Sequence, residues 1–84
     1  MSHAKPSLRL GTLDDAAEIA TLSRDLIERG LGWSWTAERV ARNLRSPSTS
    51  TVVAAASGRI AGFALMFFGD EHAHLSLLAV RPEW

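Results

Sequence analysis

Two histidines near the carboxyl end have side chains that can exchange a proton near neutral pH. His72 and His74 are two residues apart, beside and within the apolar stretch Ala73–Val80. An imidazole has an ordinary pKa near neutrality, so the His74 ring suits a general base. Residues at this spacing share one face of a strand and could in principle hold a metal ion. No third ligand is evident, so we predict no metal site; a structural histidine bonded to a neighbouring strand is the alternative for His74.

Three carboxylates and two tryptophans are further candidate site residues. Glu28 falls near the end of a predicted helix, and Asp70 and Glu71 fall in a predicted turn. Each could contact an amine, although carboxylates at such positions are more often simply solvated. Trp33 and Trp35 lie in a short glycine-rich connection. They either cover a pair of helices, with the indole N–H bonded to a partner, or form a wall of a substrate pocket.

The composition is that of one small globular domain. The chain has 84 residues, 46% of them hydrophobic, and no cysteine, so neither disulfides nor thiolate zinc sites can stabilise it. A domain of this size buries only about 60–65% of its unfolded surface, which makes the core marginal. Nine basic residues balance nine acidic ones, which argues against non-specific binding to nucleic acid.

Neither a membrane span nor a signal peptide is predicted. An apolar run of about 18 residues, the length that crosses a bilayer, does not occur. Residues 1–6 lack the apolar core of a signal peptide and are interpreted as a short flexible leader. We therefore predict a leader over residues 1–6 and one domain over residues 7–84, with the cytoplasm as the default location.

The amino-terminal half predicts a strand followed by two helices. Ser7–Leu10 alternates polar and apolar residues, which indicates a half-buried strand. Thr12 and Asp15 have the spacing of a capping box, and the helix they begin runs to Gly30, which is placed to end it in a left-handed turn. Thr36 caps a second helix with apolar residues at helical spacing, namely Ala37, Val40, Ala41 and Leu44.

The carboxyl-terminal half predicts three strands. Thr51–Ala56 and Arg59–Phe68 flank the turn Ser57-Gly58 and form a hairpin, and the stretch Ala73–Pro82 is interpreted as a further strand that the proline stops. The second strand of the hairpin has apolar residues at both odd and even positions, so both of its faces are expected to be buried. The order β1-α1-α2-β2-β3-β4 predicts an α+β fold in which helices pack on an antiparallel sheet.

Four passages together resemble the N-terminal half of the GCN5-related N-acetyltransferases, the GNAT superfamily. They are Arg9–Ala16 before the first helix, the valine-rich Val52–Ala54, the hairpin Gly58–Ala64, and Leu77–Trp84. The last is the most specific. In that family a strand ending in a Leu-Ala-Val-x-Pro-like sequence, with an aromatic residue soon after, leads into an Arg/Gln-x-x-Gly-x-Gly/Ala loop that binds the pyrophosphate of acetyl-CoA.

The resemblance implies an α/β three-layer GNAT-like fold with a mixed, mainly antiparallel sheet, and acetyl-CoA as co-substrate. It places the backbone N–H of Leu78 opposite the thioester oxygen, so that Leu78 counts as catalytic as well as cofactor-binding. It pairs the backbone of Val80 with the pantetheine arm, and Ala79 completes this cofactor-binding segment. Substitution at Leu78 is then expected to act through packing rather than chemistry.

The resemblance also assigns the acceptor side of the reaction. His74 lies about where several members of the family keep a glutamate that relays the proton of the amine, so it becomes the candidate base. Trp33 and Trp35 lie in the loop that commonly shapes acceptor specificity in this family. The acceptor is expected to be a primary amine of a small molecule or peptide.

The pyrophosphate loop is expected just after Trp84, so the chain is interpreted as a GNAT domain truncated before that loop. Gly30, Gly32, Gly58 and Gly62 are expected to have neither the spacing nor the strand-to-helix context that the loop requires. Two hypotheses follow. One is an N-acetyltransferase of GNAT type; the alternative is a non-catalytic half-domain that pairs or swaps strands with another copy, as a homo-oligomer formed through the exposed apolar edge at Leu75–Val80.

Overall fold

The strands and helices follow one another in the predicted order. The computed structural model describes residues 5–82, with strands β1 (Ser7–Leu10), β2 (Thr49–Ala56), β3 (Arg59–Phe68) and β4 (Ala73–Val80). The helices are α1 (Ala16–Leu22), which a 3-10 turn (Leu13–Asp15) precedes and a π-helical segment (Ser23–Ile27) follows, and α2 (Ala37–Arg45). Most of the predicted leader, and the Glu83-Trp84 end of the family-like passage, lie outside the described residues.

The four strands form one sheet in the order β1-β2-β3-β4, and each neighbouring pair is antiparallel. The predicted hairpin between β2 and β3 is confirmed. Its two turn residues, Ser57 and Gly58, have φ angles of 53° and 75°. Two successive positive φ values are typical of the tight turn whose twist matches that of antiparallel strands. Within the described residues the sheet is antiparallel throughout rather than mixed.

Gly62 lies where β3 and β4 approach each other most closely. A Cβ atom at this position would be 2.8 Å from the Ala79 carbonyl oxygen, so only glycine fits without a shift of the backbone. The pairing of β2 with β3 also changes register beside it, from Ala54 opposite Gly62 to Ala55 opposite Ile60. Ala61 is the unpaired residue of this bulge, so of the two roles predicted for Gly62 the structure shows the close approach, with the bulge at the preceding residue.

A second bulge lies in β4 and changes which way its side chains point. Leu65 pairs with Leu77, but the next residue of β3, Met66, pairs with Leu75. Ser76 is therefore an extra residue in β4. Because side chains alternate between the two faces of a strand, one extra residue inverts the alternation on one side of the bulge.

The helices cover one face of the sheet and build the core there. Residues from the helices and from alternate positions of the strands form one buried cluster, which includes Ile19, Leu22, Val40, Val53, Phe63, Leu65, Leu77 and Ala79. Burying side chains of this size stabilises the fold by about 1.5–3 kcal/mol each. Trp35 and Leu44 pack against this cluster from its margin.

The other face of the sheet carries apolar side chains without a helix over them in the described part of the chain. Leu8 and Leu10 are 76% and 70% exposed, and Leu78 and Val80 are 58% and 56% exposed. The expectation that β1 is half-buried was wrong. Its alternation is present, but Leu8 and Leu10 point to the open face while Arg9 points towards the helices, where it binds Asp15.

The helix boundaries follow local hydrogen bonds. The Asp15 carboxylate accepts the Thr12 backbone N–H at 2.8 Å, and it forms a two-point ion pair with Arg9, with both N–O distances 2.8 Å. The Arg9 hydrogen bonds lower the pKa of Asp15 to about 2. Thr36 caps α2 through its hydroxyl oxygen, which accepts the Arg39 N–H. Gly30 has a φ of 80°, as expected for a residue that closes a helix end.

Within the described part of the chain, no helix combines the length and the apolar character needed to cross a membrane.

Candidate functional site

The outer edge of β4 presents backbone groups that the sheet does not use. Arg81 donates its N–H to the Ala61 carbonyl oxygen at 2.8 Å, so Arg81 faces β3. Backbone groups of successive residues in an antiparallel strand point to alternate sides. Val80 and Leu78 therefore point their N–H and C=O groups away from β3, and β4 is the last strand of the described sheet. The edge offers two donors and two acceptors at strand spacing.

A shallow apolar concavity of about 340 Å³ lies on the open face beside this edge. Residues from all four strands line it, among them Leu8, Val52, Ala54, Gly62, Leu78 and Val80. Its floor is flat at Gly62, which has no side chain. The concavity and the outward backbone groups together suit an extended ligand that has amides along its length and apolar segments between them.

His74 and Leu78 lie on opposite faces of the sheet. His74 pairs with Phe67, and Leu78 pairs with Ala64. Successive side chains of a strand point to opposite faces, so positions 64 and 67 of β3, three residues apart, lie on different faces. His74 therefore points to the side of the helices, while Leu78 points to the open face. The extra residue Ser76 causes this, because residues four apart in a regular strand share a face.

His74 is exposed, and its ring lies 6.3 Å from that of His72 in an edge-on arrangement. The two rings are therefore neighbours, as their spacing predicts. No group of three or more metal-ligating side chains occurs among residues 5–82. The helix-side position brings His74 to the face on which the π-helical segment Ser23–Ile27 packs against β4.

Glu28 organises the loop that follows this segment. Its carboxylate accepts the Ser34 hydroxyl at 2.6 Å and the Ser34 N–H at 2.7 Å, and it also accepts the Trp35 N–H and the Ser23 hydroxyl, both at 3.1 Å. Led by the Ser34 hydroxyl, these hydrogen bonds lower the pKa of Glu28 to about 2. Glu28 is buried, so the expectation of a solvated carboxylate was wrong. The Glu28 hydrogen bonds hold the loop that contains Trp33 and Trp35 against the end of the first helix.

An arginine lies over each of the two tryptophans. The Arg39 guanidinium carbon is 3.9 Å from the centre of the Trp35 ring, and that of Arg24 is 5.3 Å from the Trp33 ring. Trp35 packs on the core, which agrees with its interpretation as a hydrophobic cover. Trp33 is 42% exposed, so its ring is accessible from solvent. Asp70 and Glu71 are exposed in the β3–β4 turn.

Glu18 and Arg81 form a polar link between α1 and the ends of β3 and β4 that the sequence did not reveal. The Glu18 carboxylate accepts the Ile60 N–H at 2.9 Å, and Arg81 donates its Nε–H to the Ile60 carbonyl oxygen at 2.8 Å. Arg81 and Glu18 are also an ion pair at 3.5 Å. This link fixes the end of β4 next to the outward-facing Val80.

The expectation that no glycine has the motif spacing was wrong, because Arg59–Ala64 fits the Arg/Gln-x-x-Gly-x-Gly/Ala sequence. These residues form part of β3. The Ile60 N–H is bonded to Glu18 and Gly62 is buried against β4. Backbone N–H groups inside a sheet do not converge as those at a helix start do. This letter match therefore does not form a phosphate site.

A solved structure with the same arrangement of elements supports the fold. It is described as a GCN5-related glucosamine N-acetyltransferase region in a fungal multi-domain GH3 β-N-acetylglucosaminidase, and it matches 100% of this chain with a TM-score of 0.62 and 22% sequence identity. The fold is GNAT-like. The match spans 10% of the length of that neighbour. No family model matches the chain, and no curated protein matches it in sequence.

The residues of the edge fit part of acetyl-CoA. The outward groups of Leu78 and Val80 suit the amides of a pantetheine arm, and the concavity suits its apolar segments. Within residues 5–82, no glycine-rich turn leads from a strand into a helix start in the way that a pyrophosphate requires. The fit is therefore to the acyl and pantetheine portion of the molecule.

Proposed function

We propose that the chain contributes to a GNAT-type N-acetyltransferase that transfers acetyl from acetyl-CoA to a primary amine of a small molecule or peptide. The observation that carries the proposal is the free edge of β4. Leu78 and Val80 present unused backbone groups beside the Ser76 bulge, in a GNAT-like fold. The neighbour with this fold is itself described as an acetyltransferase region.

Acetyl transfer needs a polarised thioester carbonyl and an amine that has lost its proton. The outward N–H of Leu78 donates to the thioester oxygen, and the backbone of Val80 pairs with the pantetheine amides as a neighbouring strand would. Ala79 faces β3 and the core and holds these two residues in line. Acetyl-CoA supplies the activated acyl group when bound.

The acceptor lies on the helix side of β4. His74 points to that side and takes the proton of the amine as a general base. Trp33, on the loop held by Glu28, contacts the acceptor, while Trp35 positions the loop through its packing on the core. Because the structural neighbour is described as acting on glucosamine, an amino sugar is the first acceptor to test.

Nuclear magnetic resonance of the isotopically labelled chain tests the site directly. Millimolar acetyl-CoA is expected to shift the amide signals of Leu78 and Val80 more than that of Leu10, which points outward from the opposite edge of the sheet because Gly11 donates to Thr51 and which does not line the concavity. Affinity is expected to be weak because the described residues contact only the arm. Shifts at both edges alike, or at neither, would contradict the proposal.

Two substitutions at one position separate backbone chemistry from side-chain packing. Leu78→Pro removes the outward N–H, whereas Leu78→Ala keeps it and removes a similar amount of apolar surface. Binding is expected to be lost in Leu78→Pro and retained in Leu78→Ala. Release of the coenzyme A thiol in the presence of glucosamine or a peptide amine then reports transfer, and equal rates in the two variants would argue against a role for the N–H.

The alternative, a non-catalytic half-domain, has less support, because the structural neighbour is described as an acetyltransferase region. A cytoplasmic location stays a prediction.

A further inference from the structure

We infer that the outward face of α2 binds a phosphate group between the side chains of Arg39, Arg42 and Asn43. The ligand is a small molecule that carries this group as a phosphate monoester. The site belongs to the helix layer of the fold. Phosphate binding there requires neither acetyl transfer nor the outer edge of β4.

Arg39 and Arg42 lie at the centre of the polar face of α2. The apolar residues of the helix pack on the core from its opposite side, namely Ala37, Val40, Ala41 and Leu44. Arg42 is exposed and Arg39 is half-buried. Residues three apart on a helix are neighbours on its surface, so both guanidinium groups can reach one ligand.

The Arg39 guanidinium is held in place by the loop before α2. Its carbon atom lies 3.9 Å from the centre of the Trp35 ring, and one of its N–H groups approaches the Ser34 carbonyl oxygen at 3.5 Å. Trp35 packs on the core and donates its backbone N–H to the buried Glu28, so the ring is a fixed support. Stacking uses the face of a guanidinium and leaves donors around its rim. Less conformational freedom is therefore lost when Arg39 binds a ligand.

Asn43 adds an uncharged donor to the two arginines. It donates one amide N–H to the Arg39 carbonyl oxygen at 2.8 Å, which orients the amide and leaves its second N–H as a donor. The three side chains line a shallow concavity of about 360 Å³ on the surface of α2. Donors from three residues therefore surround one small space.

The positive charge at this concavity is not neutralised within residues 5–82. The ion pairs found there use the arginines of β1, of the π-helical segment and of the end of β4. Neither Arg39 nor Arg42 is among them. Glu38 precedes Arg42 by one helical turn, but the two are not within ion-pair distance. A chain of zero net charge thus has a local site for an anion.

The directions of the two guanidinium groups favour phosphate over carboxylate. Positions three apart differ by about 60° around the axis of a helix, so Arg39 and Arg42 approach the concavity from different sides. A carboxylate is planar and is matched by a single guanidinium. A phosphate monoester is tetrahedral and has three strong acceptor oxygens, so it can accept hydrogen bonds from both arginines and from Asn43.

Nuclear magnetic resonance of the side-chain N–H groups tests the site, with phenyl phosphate and inorganic phosphate as separate probes. Millimolar phenyl phosphate is expected to shift the signals of Arg39, Arg42 and Asn43 in a saturable manner. Benzoate and chloride at matched ionic strength are the controls and should not. Equal shifts at Arg29 and Arg45 would show general attraction of anions and would overturn the site. Binding of inorganic phosphate without phenyl phosphate would overturn the assignment to an ester.

Two variants of α2 distinguish a built site from overall charge. Arg42→Gln is expected to weaken the binding of phenyl phosphate about tenfold, because it removes charge-assisted hydrogen bonds. Arg45→Gln removes the same charge from an exposed position of the same helix that does not line the concavity, and should change the affinity less than about twofold. Melting curves confirm that both variants are folded. Equal losses in the two variants, or no loss in Arg42→Gln, would overturn the inference.

Discussion

Leu78 and His74 are four residues apart in β4, yet their side chains project to opposite faces of the sheet. The Ser76 bulge separates them. Leu78 is therefore next to the apolar concavity on the open face, and His74 is on the side of the helices. A thioester bound along the outer edge of β4 lies between the two faces of the sheet. His74 as the base on the helix side and the pantetheine arm on the open face are therefore compatible with the proposed reaction.

His74→Ala is expected to lower the rate of acetyl transfer by about 10²-fold at neutral pH if the imidazole is the base. The loss should shrink at alkaline pH, where the amine loses its proton without help. The measurement is the pH dependence of coenzyme A release. His72→Ala is the matched control, because its ring is adjacent but has no assigned role; a His74→Ala profile that coincides with the parent profile would remove His74 as the base.

Glu28→Gln is expected to lower the melting temperature and to weaken its dependence on pH. The pKa of Glu28 is lowered in the fold from an ordinary value of 4.5 to about 2. The charged form therefore stabilises the fold above pH 4.5, and this contribution is lost as the pH falls from 4.5 to 2. Melting curves across that range measure it. Glu38→Gln, at an exposed position of α2, controls for the loss of one negative charge.

Asp15→Asn is expected to destabilise the fold by about 1 kcal/mol, because it weakens a partly exposed ion pair and a helix cap together. The Asp15 side chain is 10% exposed and that of Arg9 is 43% exposed. Urea unfolding of Asp15→Asn, Arg9→Gln and the double variant gives the coupling between them. Asp14→Asn, at the exposed neighbouring position, controls for loss of charge. Strict additivity of the two single changes would contradict a direct interaction.

Thr51→Val is expected to stabilise the fold by about 1 kcal/mol. The Thr51 hydroxyl is buried and has no hydrogen-bond partner, so replacing it with a methyl group removes the cost of desolvating it. Thr51→Ala also removes the hydroxyl, but it removes a buried methyl group as well and should gain less. A lower melting temperature for Thr51→Val would show that the hydroxyl is satisfied.

Gly62→Ala is expected to destabilise the fold by about 1–3 kcal/mol, because the added Cβ meets the Ala79 carbonyl oxygen. The shift should displace β4 next to Val80, so amide signals of β4 should change most. Gly32→Ala is the matched control, since nothing lies within 4 Å of a Cβ there. Similar melting temperatures for the two variants would show that the close approach costs little.

The sequence predicted the elements better than it predicted the polar contacts. The change of hydrophobic period gave the bounds of β3 and the start of β4 correctly, whereas β4 ends at Val80, before the predicted stop at Pro82, and β2 begins at Thr49 rather than Thr51. The turn at Ser57-Gly58 followed from local backbone preference. The Ser76 bulge left no such signal, because a serine in an apolar strand is compatible with regular pairing. Its position is set by the partner strand, through Leu65 and Met66.

Glu28 and Arg9 show the same limit for polar residues. The donors that bury Glu28 come from residues 23, 34 and 35, and their proximity depends on the path of the loop rather than on helical spacing. Arg9 was expected to face solvent in an alternating strand. It faces the helices because Asp15 is placed there to receive it.

The outward amides of Leu78 and Val80 belong to the main chain. Side-chain substitutions other than proline leave them in place. Sequences that diverge widely at these two positions can therefore keep the same hydrogen-bonding edge.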